Sequence, residues 1–157
     1  MNESLLIVDI AGRRVAFPAE EVGSVVELGD VTPVPRAPDH VSGLLAVRSR
    51  ALTVIDCARS IGICDYNPPA ERQAVEIEKD GYPYALVVDV AHAVVDRQDS
   101  QSRIPGGAGD GWERVATEMV ETAIGPALLC NIDALIEGPE ANSEKHPNSM
   151  RSPLEQI

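Results

Sequence analysis

Residues 38–62 read PDHVSGLLAVRSRALTVIDCARSIG. Two apolar runs, residues 44–47 and 51–55, flank Arg48-Ser49-Arg50, which is the pattern of a β-hairpin. Asp56 then supplies a helix N-cap and Gly62 a helix stop, so the stretch predicts strand, strand and one short helix. It is also unusually basic. Within residues 33–60, Arg36, Arg48, Arg50 and Arg59 stand against Asp39 and Asp56, whereas the whole chain carries a net charge of −12. Such local charge is either ordinary surface variation or a contact patch for an acidic partner. No recognisable set of catalytic groups lies within it.

The flanks extend the same theme. Residues 4–10 predict a strand, Gly12 a turn, and residues 14–17 the returning strand. Pro18 ends that ladder because proline cannot donate to it. Residues 22–28 predict a third strand, followed by a loop punctuated by Pro33, Pro35 and Pro38. In the second half, residues 73–79 and 82–90 flank Asp80-Gly81, a strong two-residue hairpin signal. Residues 93–96, 115–121 and 127–130 predict further strands, the first two separated by a flexible loop over 98–111. Asn131 caps a short helix through Ile136. The polar segment from Gly138 onward predicts a disordered tail.

The halves resemble each other. A shift of 69 places Gly12 on Gly81, Ala16 on Ala85 and Val25-Val26-Glu27 on Val94-Val95-Asp96. A shift of 75 places Asp56 on Asn131 and Ile61 on Ile136. Duplication or shared β-unit patterning accounts for this equally. Each half carries a hairpin, a third strand, a second hairpin and a capped helix. Five strands per half suit small closed barrels, which remove exposed sheet edges. With aromatic residues at only 3%, the interior must be aliphatic.

Several chemistries are disfavoured. A net charge of −12 with no basic face argues against nucleic acid. There is no apolar run long enough for a membrane span, and the start MNESLLIVDI lacks a basic n-region. Cys57, Cys64 and Cys130 form no CxxC pair, consistent with a reducing cytoplasm, and Cys57 and Cys130 predict buried thiols. His40, His92 and His146 lie at no metal-ligand spacing and predict surface or interface residues. The GGAGDG loop lacks the lysine and hydroxyl of a phosphate-binding loop. Asp89 and Asp96 have no evident general-acid partner, and Ser42 stands outside a nucleophile elbow. The expectation is a protein without enzymatic activity, cofactor or metal.

Pro38, Val41, Gly43, Leu44, Val47, Arg48, Val54, Ile55 and Asp56 fall on the pattern of the CheW-like chemotaxis coupling proteins, roughly P-x-x-[IV]-x-G-[VI]-x-[NS]-[LV]-R-G-x-[IV]-[VL]-P-[VI]-[VI]-D-L. AEEVGSVVEL (19–28), the run 85–90 with Asp89, and LLCNIDALI (128–136) resemble the family's segments before its third strand, in its second half and at its close. The chain is thus similar to a divergent member of that family over about residues 4–137. Ser49 stands where the family usually has glycine, Ala46 replaces an Asn or Ser, Thr53 a proline, Ser24 an acid and Glu118 a glycine.

The resemblance implies an all-β fold of two small SH3-like five-stranded β-barrel subdomains with short capping helices. A single domain over 1–137 would divide into subdomains at about 4–63 and 71–137, with 138–157 as the tail. It implies a cytoplasmic, non-catalytic adaptor recruited to receptor arrays. Its partners would be a chemoreceptor (methyl-accepting chemotaxis protein) hairpin tip and the regulatory domain of a CheA-type histidine kinase. Val22, Val41, Gly43, Leu44 and Arg48 are the expected receptor-binding groove, Arg48 either meeting an acidic receptor side chain or bracing the hairpin. Val34, Arg36 and Pro38 are the expected kinase contact. The alternatives are a CheW-like module in a non-chemotactic pathway, or a β-barrel that binds a small molecule or a second copy of itself.

Overall fold

Tight two-residue turns define the hairpins of the computed structural model, which describes residues 3–63, 65–102 and 110–139. Strand β1 (Ser4–Ile10) returns as β2 (Arg13–Pro18) through Ala11-Gly12, both at positive φ. β6 (Gln73–Lys79) returns as β7 (Tyr82–Val88) through Asp80-Gly81, again with positive φ at both positions. These turns match the right-handed twist of their strands, as the Asp-Gly signal predicts. β4 (Val41–Val47) and β5 (Arg50–Asp56) are joined in the same way by Arg48 (φ 55) and Ser49 (φ 91). The turn therefore keeps the geometry that favours glycine even though serine occupies it.

The remaining strands are β3 (Val22–Glu27), β8 (Val90–Ser102), β9 (Ala116–Thr122) and β10 (Gly125–Cys130). A 3₁₀ turn at Ala19–Glu21 follows Pro18. Helix α1 (Cys57–Ile61) begins at Asp56, whose carboxylate accepts the Arg59 N–H at 3.2 Å, and stops at Gly62 with φ 100. Helix α3 (Ile132–Glu137) begins at Asn131, whose side chain accepts the Ala134 N–H at 3.3 Å. Both caps fall where the sequence predicts them.

Two features differ from expectation. β8 continues to Ser102, through part of the segment read as loop, because it pairs with both β1 and β9. Helix α2 (Asp110–Val115) replaces the start of a strand expected at Val115. Its Trp112 is buried, and a Cβ at Gly111 would collide with the Ile61 carbonyl, so α2 packs directly on α1. The expected tail lies, apart from Gly138 and Pro139, outside the described residues.

The strands form two five-stranded sheets, as the all-β reading requires, but the sheets do not split the chain at 63/71. The first is a closed barrel in the order β1-β2-β10-β9-β8, and the second runs β3-β6-β7-β5-β4. The second unit is thus one continuous segment, Val22 to Val88, inserted between the β1–β2 hairpin and β8. The expected boundaries are corrected accordingly, because each half lends its first hairpin to the other half's strands. The lending is sealed by two short parallel ladders, β2 with β10 and β5 with β7. In the second sheet the end strands β3 and β4 are not laddered to each other among the described residues; Thr32 instead forms an isolated bridge with Leu44.

The largest buried cluster lies between the sheets. It joins Leu6, Val8, Phe17 and Leu128 of the barrel to Val41, Ile55, Ile77 and Leu86 of the second sheet, and includes buried residues of all three helices. Smaller clusters fill each unit, around Leu52 and Val54 in one and Leu5 and Ile7 in the other. The interior is aliphatic, with Phe17, Tyr84 and Trp112 concentrated between the sheets. Apolar area removed from water at that junction holds the two units in one arrangement.

Candidate functional site

A cleft of about 610 Å³ opens where β3, β6 and the β4–β5 turn meet the start of α3. Half-buried Val22 gives it an apolar wall, backed by the nearly buried Ile77 and Ile132, while Arg48, Arg50, Glu76 and Lys79 supply charge and the Glu20-Glu21 turn flanks it. Its inner wall depends on a bulge in β3. Val22 pairs with Ile77 and Val25 with Val75, so Gly23 and Ser24 together oppose Glu76. Such a bulge re-aims a side chain: the Ser24 hydroxyl donates to Glu76 Oε1 at 2.7 Å. A Cβ on Gly23 would sit 3.0 Å from the Glu76 carbonyl oxygen, so glycine permits the close approach of the strands.

Glu76 is only 8% exposed, and its other oxygen lies 3.6 Å from Arg50 Nη1. A buried carboxylate needs such partners. Arg50, with its side chain half exposed, is therefore the counter-ion of Glu76 rather than the motif residue Arg48. The sequence does not single out Glu76, and names Arg50 only as one of four arginines in a basic stretch. The alternating β6 pattern makes Glu76 look like an ordinary outward acid, and only the β3 bulge reveals its role. Lys79 closes the cleft's far side, 3.0 Å from Asp133 of α3, a pairing that raises the lysine's pKa.

The structure unites only part of the expected receptor groove. Val22 and Arg48 line the cleft together. Val41 is buried in the junction core. Gly43 is buried at φ 147, and a Cβ there would collide with the Thr32 carbonyl, so its role is to admit the Thr32–Leu44 bridge. Leu44 is half-buried and carries that bridge through two hydrogen bonds of 2.9 Å. Val41, Gly43 and Leu44 are thus framework residues behind the cleft, not among the residues that line it.

Val34, Arg36 and Pro38 occupy the β3–β4 connection, away from the cleft. Val34 and Pro38 are half-buried and accept backbone hydrogen bonds from Ala37 and Val41. Arg36 is exposed at φ 67. This connection is anchored from an unexpected quarter. His40, predicted at the surface, is buried at 3% exposure, and its Nε2 lies 2.8 Å from the Ile136 carbonyl at the end of α3. Its own carbonyl accepts the Asp56 N–H.

The helices at the junction share a second brace. Arg114 of α2 donates to the Ala134 carbonyl at 2.7 Å and to the Ser60 carbonyl, while the Ser60 hydroxyl donates to Leu135 at 2.6 Å. Burial lowers the Arg114 pKa. Arg114 thereby ties the last turns of α1 and α3 together, adding to the bond that the Ala134 carbonyl accepts from the Gly138 N–H at 3.2 Å.

Burial raises the pKa of Cys57 and pushes that of Cys130 up to about 12, so both thiols stay protonated and inert at neutral pH. Tyr66 donates to Asp89, and burial together with that carboxylate raises the phenol's pKa. Among the described residues, no three His, Cys, Asp or Glu side chains are grouped to hold a metal ion, and no helix is long and apolar enough to cross a membrane.

Comparison with known proteins agrees with this architecture. The pattern of the family described as CheW-like domain matches residues 4–140. Chemotaxis protein CheW of Thermotoga maritima is 23% identical over 133 residues, covering 85% of this chain and 87% of that protein. The crystal structure of the scaffolding protein TtCheW from Thermoanaerobacter tengcongensis superposes with a TM-score of 0.76 at 18% identity, covering 94% of this chain and 99% of that one.

Proposed function

Because this chain belongs to the CheW-like domain family, we propose that it is a chemotaxis coupling adaptor that joins a chemoreceptor's cytoplasmic hairpin tip to a CheA-type histidine kinase. The observation that carries the reading is the family match across residues 4–140, nearly the whole described chain. The cleft supports it. Half-buried Val22, backed by the nearly buried Ile77 and Ile132, suits an aliphatic side chain of a helix laid into the groove, and the charged rim suits register and orientation.

In this reading Val22 and Arg48 contact the receptor, while Val41, Gly43 and Leu44 hold the hairpin that presents Arg48. The β3–β4 connection with Val34, Arg36 and Pro38 offers a separate face to the kinase regulatory domain, so both partners bind at once. Signal passes through contacts alone, without catalysis, and the adaptor works in the cytoplasm at receptor arrays. Isothermal titration tests the two faces separately. The reading expects a chemoreceptor tip fragment to bind the wild type and to lose affinity to Val22→Asp, and a kinase regulatory domain to lose affinity to Arg36→Glu but not to Val22→Asp. Failure of the folded wild type to bind either partner would overturn it.

A further inference from the structure

Two arginines stand at the hairpin turn, and Glu76 decides which is ion-paired within the molecule. Its Oε1 takes the Ser24 hydroxyl at 2.7 Å and its Oε2 lies 3.6 Å from Arg50. Arg48 lines the same cleft but is exposed and makes no ion pair with any described residue. Lys79 is already held by Asp133. Among the described residues the cleft therefore presents one cation without an ion pair, Arg48, while Glu20, Glu21 and Glu78 line it without one, Glu21 acting on Lys79 through space.

We infer that Ser24 and Glu76 set the charge selectivity of the cleft: by pairing the half-exposed Arg50, they leave Arg48 as the cation that receives a carboxylate from the docked receptor tip. This rests on the coupling reading above. The matching partner helix carries an Asp or Glu at Arg48, an aliphatic residue against Val22, and a Lys or Arg toward Glu20 and Glu21. Opposite charges at these separated points fix orientation and reject a helix with the reverse polarity. A guanidinium suits the carboxylate because it can donate two parallel hydrogen bonds.

The test uses the full chain and hairpin-tip fragments of the chemoreceptors encoded in the same genome. Arg48→Ala is expected to weaken binding on the order of ten-fold or more. In a Glu76→Gln background Arg50 is released and takes over the carboxylate, so the same Arg48→Ala change costs roughly three-fold or less, a non-additive cycle. Equal losses in both backgrounds, or no loss in either, would overturn the inference while leaving the coupling reading intact. Failure of the folded wild type to bind any fragment would remove both.

A partner-free measurement judges the internal half by itself. In ¹⁵N NMR of the arginine side chains, Glu76→Gln is expected to shift the Nε–Hε resonance of Arg50 and to leave that of Arg48 in place. A shift confined to Arg48 would contradict the inference whatever the binding data show. Glu76→Gln keeps the side chain's shape, and a thermal melt verifies that it folds.

Discussion

Ser49→Gly should stabilise this protein. Serine at φ 91 occupies the second position of a two-residue turn whose first residue, Arg48, also has positive φ. An L-residue in that region costs roughly 1–2 kcal/mol that glycine avoids. Glycine returns about 0.4–1 kcal/mol of this through the larger entropy of the unfolded chain. Ser49 is exposed and makes no hydrogen bond through its side chain among the described residues, so nothing else is lost. The net gain is about 0.5–1 kcal/mol, equivalent to a rise in Tm of about 2 °C for a domain of this size. Urea denaturation followed by far-UV circular dichroism measures it, with a higher midpoint and an unchanged slope. A midpoint equal to or below that of the wild type would refute the turn geometry, and with it the placement of Arg48 on the cleft rim.

Further expectations follow from the framework. Gly43→Ala forces a methyl group onto the Thr32 carbonyl at φ 147, and should destabilise by several times the ~1 kcal/mol of an ordinary glycine substitution; a stability within error of wild type would contradict it. The Thr53 hydroxyl is buried without a hydrogen-bond partner. Thr53→Val therefore leaves stability unchanged or raises it by up to about 1 kcal/mol, and a clear loss in urea denaturation would count against the orphaned hydroxyl. Cys57 and Cys130 hold their protons in the folded state, whereas an ordinary thiol ionises near pH 9.0. Stability should thus be complete below that value and fall as pH rises above it, by up to about 1.4 kcal/mol per pH unit for each thiol. Replacing both with alanine should flatten that alkaline slope, measured against each variant's own stability at neutral pH.

Local chemistry made much of this fold legible. Asp80-Gly81 fixed one hairpin, Asp56 and Gly62 bounded α1, and Asn131 started α3, because each acts on the backbone within a few residues. The sheet partners were another matter. Alternation marks β2 and β7 as strands but does not say which strand each will lie beside, so the exchange of first hairpins between the halves stayed hidden. Helix α2 was missed because it is only six residues long and follows a glycine-rich run; its existence depends on burying Trp112 and meeting Ile61. The site was legible to the same degree. The family resemblance names two of the residues that line the cleft, Arg48 and Val22. The pairing of Glu76 with Arg50 stays hidden, since it depends on the Gly23-Ser24 bulge and on strands brought together from distant parts of the chain.

The most direct test of the coupling role is reconstitution of the bridge itself. Chemoreceptor hairpin tips are tethered to vesicles, the kinase regulatory domain is left free, and its co-sedimentation is measured with and without this chain. The account predicts that the regulatory domain sediments only when the chain is present, and that Arg48→Ala releases regulatory domain and adaptor together. Sedimentation of the regulatory domain to the same extent without the chain, or none in its presence, would contradict an adaptor that binds both at once.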